Sequence, residues 1–140
     1  MDITKQAHSG DLTKVDGLLL ELVGQYRDRI NKPIFITCGT EGAHQGKEHS
    51  DGLAVDFVVD LREMRPLDAI LTIMSYPFTG LGVYPSWKWG ERENVLGFHV
   101  DIRSLKPTDM RQRRWLRVPD GEGFIDYGIS ETTLIMSGLL

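Results

Sequence analysis

The stretch HSDGLAVDF, residues 49–57, places an aspartate inside a segment that reads as a buried strand. Residues 53–59, LAVDFVV, are rich in β-branched and apolar side chains, which favours a strand. Asp56 lies at its centre, and a buried carboxylate is costly unless a cation or several hydrogen-bond donors compensate its charge. Whatever neutralises Asp56 therefore decides how this segment packs and what chemistry it can support.

A second segment, GFHVDIR at residues 97–103, has the same alternation of apolar and ionisable side chains. Successive side chains of a strand point to opposite faces. His99 and Asp101 therefore share one face, and the apolar residues share the other. If the two strands are neighbours, Asp56, His99 and Asp101 converge on one side of the sheet.

His49 ends the loop that enters the first strand, and Gly52 permits a tight turn that brings it back over Asp56. Two imidazoles and one carboxylate can form a zinc site in which the fourth tetrahedral position is left for water. Such a water ionises near neutral pH. Asp101 would orient a ligand histidine by accepting its other N–H. The alternative is a metal-free core histidine and an aspartate held in a salt bridge.

The order of predicted elements indicates an α+β fold with a mostly antiparallel sheet and flanking helices. Helices are predicted at 11–30, 65–76 and 130–140, strands at 34–38, 53–59, 79–84 and 97–103, and loops at 39–52 and 85–94. Residues 113–118 are predicted as a further strand, or as a short helix that precedes one. A length of 140 residues suits one small domain. We expect its core at about residues 11–118, followed by a C-terminal extension at 119–140.

Composition argues against several partners. The net charge of −4 provides no basic field for nucleic acid. The longest apolar stretches are too short for membrane insertion, and the polar N-terminus does not resemble a signal peptide. We therefore expect cytoplasmic synthesis, and an extracytoplasmic substrate would require another route of delivery. The sequence does not indicate an oligomeric state.

The two motifs together resemble a known family. HSDGLAVDF resembles the H-x-x-G-x-A-x-D signature of the zinc D-Ala-D-Ala peptidases, which include carboxypeptidases and phage endolysins, and GFHVDIR resembles their H-x-D signature. Segments before, between and after the motifs also resemble the family in order and spacing, over roughly residues 12–118.

The resemblance implies a site and an activity. His49, Asp56 and His99 would bind Zn²⁺, and Asp101 matches the aspartate of the second signature. The implied fold is the small α+β domain shared with the hedgehog signalling domain. The implied reaction is hydrolysis of peptide bonds in peptidoglycan stem peptides or cross-links. The protein would then have to be released to the cell wall, for example by a phage lysis system.

Some positions depart from the family pattern. Leu96 stands where many members carry an acidic general base, and ITCGTEG, residues 36–42, lacks a substrate-contacting arginine. Glu93 is our first candidate for the base, the alternative being a solvated surface carboxylate. The departures also allow a second function, a non-catalytic zinc-binding structural or binding module.

Three further residues are candidates for substrate binding. Lys47 precedes His49 by two positions, where relatives commonly carry serine. Trp87 and Trp89 could form an apolar wall for the substrate, or one of them could belong to the core instead.

Overall fold

The computed structural model describes residue 8 and residues 10–40, 51–102, 113–120 and 123–128. These residues form helices α1 (Gly17–Ile30) and α2 (Pro66–Met74) and strands β1 (Ile34–Cys38), β2 (Ala54–Val59), β3 (Gly80–Trp89), β4 (Arg92–Asp101), β5 (Arg113–Asp120) and β6 (Gly123–Gly128). The strands form one sheet in the order β1-β2-β4-β3-β5-β6. Neighbouring strands are antiparallel, except that β3 and β5 are parallel. This confirms the α+β class with a mostly antiparallel sheet.

The core lies on one face of the sheet, beneath α1. Tyr26 of α1 is fully buried, and its ring centroid lies 6.0 Å from those of both Phe57 and Phe98. Its hydroxyl donates a hydrogen bond to the carbonyl of Ala69 in α2, 3.0 Å away. Phe57 and Phe98 flank Asp56 and His99 in sequence, so packing of this face fixes the strands that carry the ionisable side chains on the other.

Helix α1 begins at Gly17, six residues later than predicted, with Asp16 as its N-cap. The apolar residues at 12 and 15 are buried as a helical pattern requires, but they form a separate turn in which the amide of Val15 donates to the carbonyl of Leu12. The side chain of Asp11 accepts from the amide of Thr13, and the amide of Asp16 donates to the carbonyl of Gly52. The local bond between Asp11 and Thr13 and the tertiary bond between Asp16 and Gly52 both compete with helical hydrogen bonding.

Helix α2 matches its predicted position closely and has Pro66 in its first turn, as expected. Its last turn contains no basic residue. Arg114 of β5 takes that role by donating a hydrogen bond to the carbonyl of Met74, 3.1 Å away. A cation suits this end because helix carbonyls carry partial negative charge there.

The prediction of a loop at 85–94 is wrong. Strands β3 and β4 extend into this segment and join in a hairpin near Gly90. Pro85, Gly90 and the charged residues around them read as loop signals. The strand tolerates Pro85 because the register between β3 and β4 shifts between Tyr84 and Trp87. Proline is accepted at such irregularities, where no ladder hydrogen bond is lost.

Strand β6 was not predicted, and it extends the sheet to Gly128 by pairing with β5. The helix predicted at 130–140 lies outside the described residues. In the part of the chain that the structure describes, no helix is long and apolar enough to cross a membrane.

Candidate metal site

Register brings three predicted residues of the two motifs together. Asp56 of β2 pairs directly with His99 of β4, from 43 positions away in sequence. Asp101 follows on the same face of β4, opposite Ala54. The convergence of Asp56, His99 and Asp101 on one side of the sheet is thus confirmed.

The imidazole of His99 lies between the two carboxylates. Its Nδ1 is 3.0 Å from Oδ1 of Asp56, and its Nε2 is 2.8 Å from Oδ2 of Asp101. The Asp101 side chain is fully buried, whereas 26% of the Asp56 side chain is exposed. Thr79 donates to the other oxygen of Asp101, Oδ1, at 3.1 Å. Asp101 is therefore a fixed acceptor for Nε2, and Asp56 is the carboxylate that a ligand can reach.

Two glycines of β3 make room for this arrangement. Gly80 pairs with Asp101, and Gly82 pairs with His99. A Cβ on Gly80 would overlap the Asp101 carboxylate, and one on Gly82 would come within 2.6 Å of the Trp115 indole. The small residues let a carboxylate and an indole ring lie close to the sheet beside His99.

Trp115 is the site residue that sequence reasoning missed. It belongs to β5, pairs with Gly82 and places its ring centroid 5.2 Å from that of His99. The parallel pairing of β3 with β5 creates this contact, and alternation within single strands carries no signal for it. Trp115 forms an aromatic wall on the side of His99 away from Asp56.

The two carboxylates set the protonation of His99 in the metal-free protein. Burial lowers the pKa of His99, but hydrogen bonds and charge interactions with Asp101 and Asp56 outweigh it and raise the pKa to about 9. The ordinary value is 6.5. Without a metal, His99 is therefore an imidazolium between two anions at neutral pH.

This protonation predicts how the stability of the metal-free protein depends on pH. The stabilisation from protonated His99 is fully present below pH 6.5 and is lost as pH rises through 9. At most it amounts to about 3 kcal/mol, since one pKa unit corresponds to about 1.4 kcal/mol. Denaturant unfolding in the presence of a chelator, at pH 6 and pH 10, measures the change.

The matched variants are His99→Gln, which should lose most of this dependence, and His8→Gln, which should keep it because His8 is exposed. A wild-type free energy of unfolding that is the same at both pH values would contradict a protonated His99.

Asp56 and His99 supply two of the donor atoms that a zinc ion would need. Zinc ligands of the N and O type lie about 2.0–2.2 Å from the metal, which separates two tetrahedral ligands by roughly 3.3 Å. The 3.0 Å between Nδ1 of His99 and Oδ1 of Asp56 is close to that separation. His49, the third predicted ligand, lies outside the described residues, and no three His, Cys, Asp or Glu side chains within them are arranged to hold a metal ion.

The chain on either side of residues 41–50 is anchored to the segment that precedes α1. The amide of Thr40 donates to the carbonyl of Asp11, and Gly52 accepts from the amide of Asp16 at 2.8 Å. Gly52 has φ of 75°, as its predicted turn requires, and its Cα lies against the carbonyl of Lys14. These contacts fix where the chain leaves β1 and where it enters β2 just before Asp56.

Gly52→Ala should therefore weaken both the fold and the site. A Cβ there would overlap the Lys14 carbonyl, and φ is in the left-handed region, which costs an L-residue about 1–2 kcal/mol. We expect a free energy of unfolding lower by at least that amount, together with weaker zinc binding. Urea titration and a zinc competition assay measure the two effects, and an unchanged midpoint would show that this anchor is dispensable.

Glu93, Trp87 and Trp89 are the other predicted site residues that belong to described strands. Glu93 precedes His99 by six residues of β4, and its role as the base stays a prediction. Trp87 lies over Gly97 and stacks on Tyr84 at 4.8 Å, while Trp89 contacts Phe35 at the hairpin end. Their roles stay predictions.

Lys47 lies outside the described residues, as does the rest of the loop at 41–50.

Searches against protein-family models, curated proteins and solved structures each gave no match for this chain. The resemblance to the zinc D-Ala-D-Ala peptidases therefore stays a prediction based on the two motifs.

Proposed function

We propose that this protein is a zinc peptidase that hydrolyses peptide bonds in peptidoglycan stem peptides or cross-links, with a domain of the hedgehog and D-Ala-D-Ala peptidase type. The observation that carries the proposal is the row of three side chains Asp56, His99 and Asp101. Nδ1 of His99 lies 3.0 Å from Asp56, and Nε2 lies 2.8 Å from Asp101. The row supplies a reachable carboxylate and an imidazole as neighbouring ligands, and a buried carboxylate that orients the imidazole.

Each residue of the row has a distinct task. Asp56 and Nδ1 of His99 would hold Zn²⁺ together with His49. Asp101, held by Thr79, accepts a hydrogen bond from Nε2 and so directs Nδ1 at Asp56, and zinc would take the place of the Nδ1 proton. Bound zinc would supply a water that ionises near neutral pH and would polarise the scissile carbonyl. Trp115 limits access to His99 from the β5 side.

The test uses zinc-loaded protein and muropeptides with defined cross-links. Hydrolysis should release new amines, should stop on addition of a chelator, and should be absent in His99→Ala protein that still folds. His8→Ala is the matched control, because His8 is exposed. No release of amines from any cross-link type by metal-loaded protein would overturn the peptidase proposal.

One observation favours the second candidate, a zinc-binding module without hydrolysis. Leu96 is 2% exposed and belongs to the core face, so the position where many family members carry a base points away from His99. A module of this kind would bind zinc stoichiometrically and bind muropeptides without cleaving them. The same assay, read together with a binding measurement, separates the two functions.

A further inference from the structure

A cavity of about 360 Å³ lies at the end of the sheet where β1 begins, β2 ends and the β3–β4 hairpin closes. Its volume is within the range of small-molecule sites. Most of the lining is apolar or aromatic: Pro33, Ile34, Phe35, Val58, Val59, Trp89 and Val95. Neither Asp56 nor His99 lines the cavity; Val58, the lining residue nearest to Asp56 in sequence, is two residues from it, about 7 Å along β2.

Arg27 of α1 brings a cation to this apolar lining. Its Nε is buried and has no hydrogen-bond partner among the described residues. A buried donor without an acceptor is destabilising, more so when the group is charged. A ligand that supplies an anionic acceptor in the cavity would recover that energy.

The other charged groups of the cavity leave a net positive charge. Arg92 lies over the Trp89 ring and is 3.9 Å from Asp60, which is also 3.8 Å from Arg62. Both distances exceed hydrogen-bond length, so Asp60 interacts only loosely with either arginine. Among the lining residues Arg27, Arg92 and Asp60 the charges sum to +1, which matches a monoanion.

We propose that this cavity is a second binding site, for a small ligand that carries one carboxylate on an apolar or aromatic body. The carboxylate accepts hydrogen bonds from the guanidinium groups of Arg27 and Arg92, a pairing that arginine geometry favours. The body lies against Phe35 and Trp89, whose ring centroids are 4.8 Å apart. The proposal is independent of hydrolysis at the zinc site.

The test is an NMR titration with 3-phenylpropionate and with its neutral counterpart 3-phenylpropanamide, followed on the indole N–H signals. The acid should bind at least about tenfold more tightly than the amide, the factor expected for one charge-assisted hydrogen bond. Its largest shift should be at Trp89 rather than Trp115. Equal affinity for acid and amide would overturn the proposal.

Variants separate this cavity from the metal site. Arg27→Met should weaken the acid at least about tenfold, whereas Arg29→Met, an exposed residue of the same helix, should not. Trp89→Leu, which leaves α1 unchanged, should weaken it as well. Asp56→Ala should leave binding intact. Loss of binding in Asp56→Ala, or equal affinities in Arg27→Met and Arg29→Met, would contradict the assignment.

Discussion

Asp56→Ala is expected to remove zinc binding almost completely, whereas Asp101→Asn is expected to weaken it by only about 10–100-fold, as for other residues that orient a ligand. The difference follows from geometry. Asp56 is the partly exposed carboxylate beside Nδ1 of His99, and Asp101 is fully buried against Nε2. Competition with a chromophoric chelator measures both affinities.

Asp28→Ala is the matched control, because Asp28 is an exposed carboxylate of α1 and should leave zinc affinity unchanged. Circular dichroism confirms that each variant is folded before titration. Equal zinc affinities in Asp56→Ala and Asp101→Asn would contradict the separate roles of the two carboxylates.

Gly80→Ala should damage the site from the neighbouring strand. A Cβ at residue 80 would overlap the Asp101 carboxylate, which cannot withdraw because His99 and Thr79 hold its two oxygens. Overpacking of this kind costs about 1–3 kcal/mol. We expect the free energy of unfolding to fall by that amount and zinc affinity to fall as in Asp101→Asn.

Gly17→Ala provides the comparison for Gly80→Ala. A Cβ at Gly17 meets nothing within 4 Å, and the residue begins α1, so alanine should be neutral or stabilising by up to about 1 kcal/mol. Urea unfolding measures the free energy of unfolding of both variants relative to wild type. Gly80→Ala protein as stable as wild type would mean that the Asp101 carboxylate is not held where the structure places it.

Alternation within single strands was enough to predict which side chains share the site's face of the sheet. It assigned Asp56, His99 and Asp101 to faces opposite the core, and the antiparallel pairing of β2 with β4 then brings them together. This works because a strand with one apolar face fixes the direction of its other side chains. The position of Asp101 as the acceptor of His99 followed from the same pattern.

Contacts that depend on pairing between distant segments were not predictable in this way. Trp115 reaches His99 only because β5 runs parallel to β3, and no local pattern encodes that choice. Residues 11–16 have helical apolar spacing, yet tertiary hydrogen bonds to Thr40 and Gly52 hold them outside α1. Pro85 was read as a loop signal because the irregular register that accommodates it is a property of the paired strands.

The central claim is that Asp56 and His99 are ligands of one zinc ion, and anomalous scattering at the zinc absorption edge tests it most directly. Crystals of zinc-loaded protein should show one strong peak about 2.0–2.2 Å from both the Asp56 carboxylate and Nδ1 of His99, with the His49 imidazole as a further ligand. Zinc-loaded crystals in which no peak lies between Asp56 and His99, and in which their 3.0 Å contact is unchanged, would contradict it.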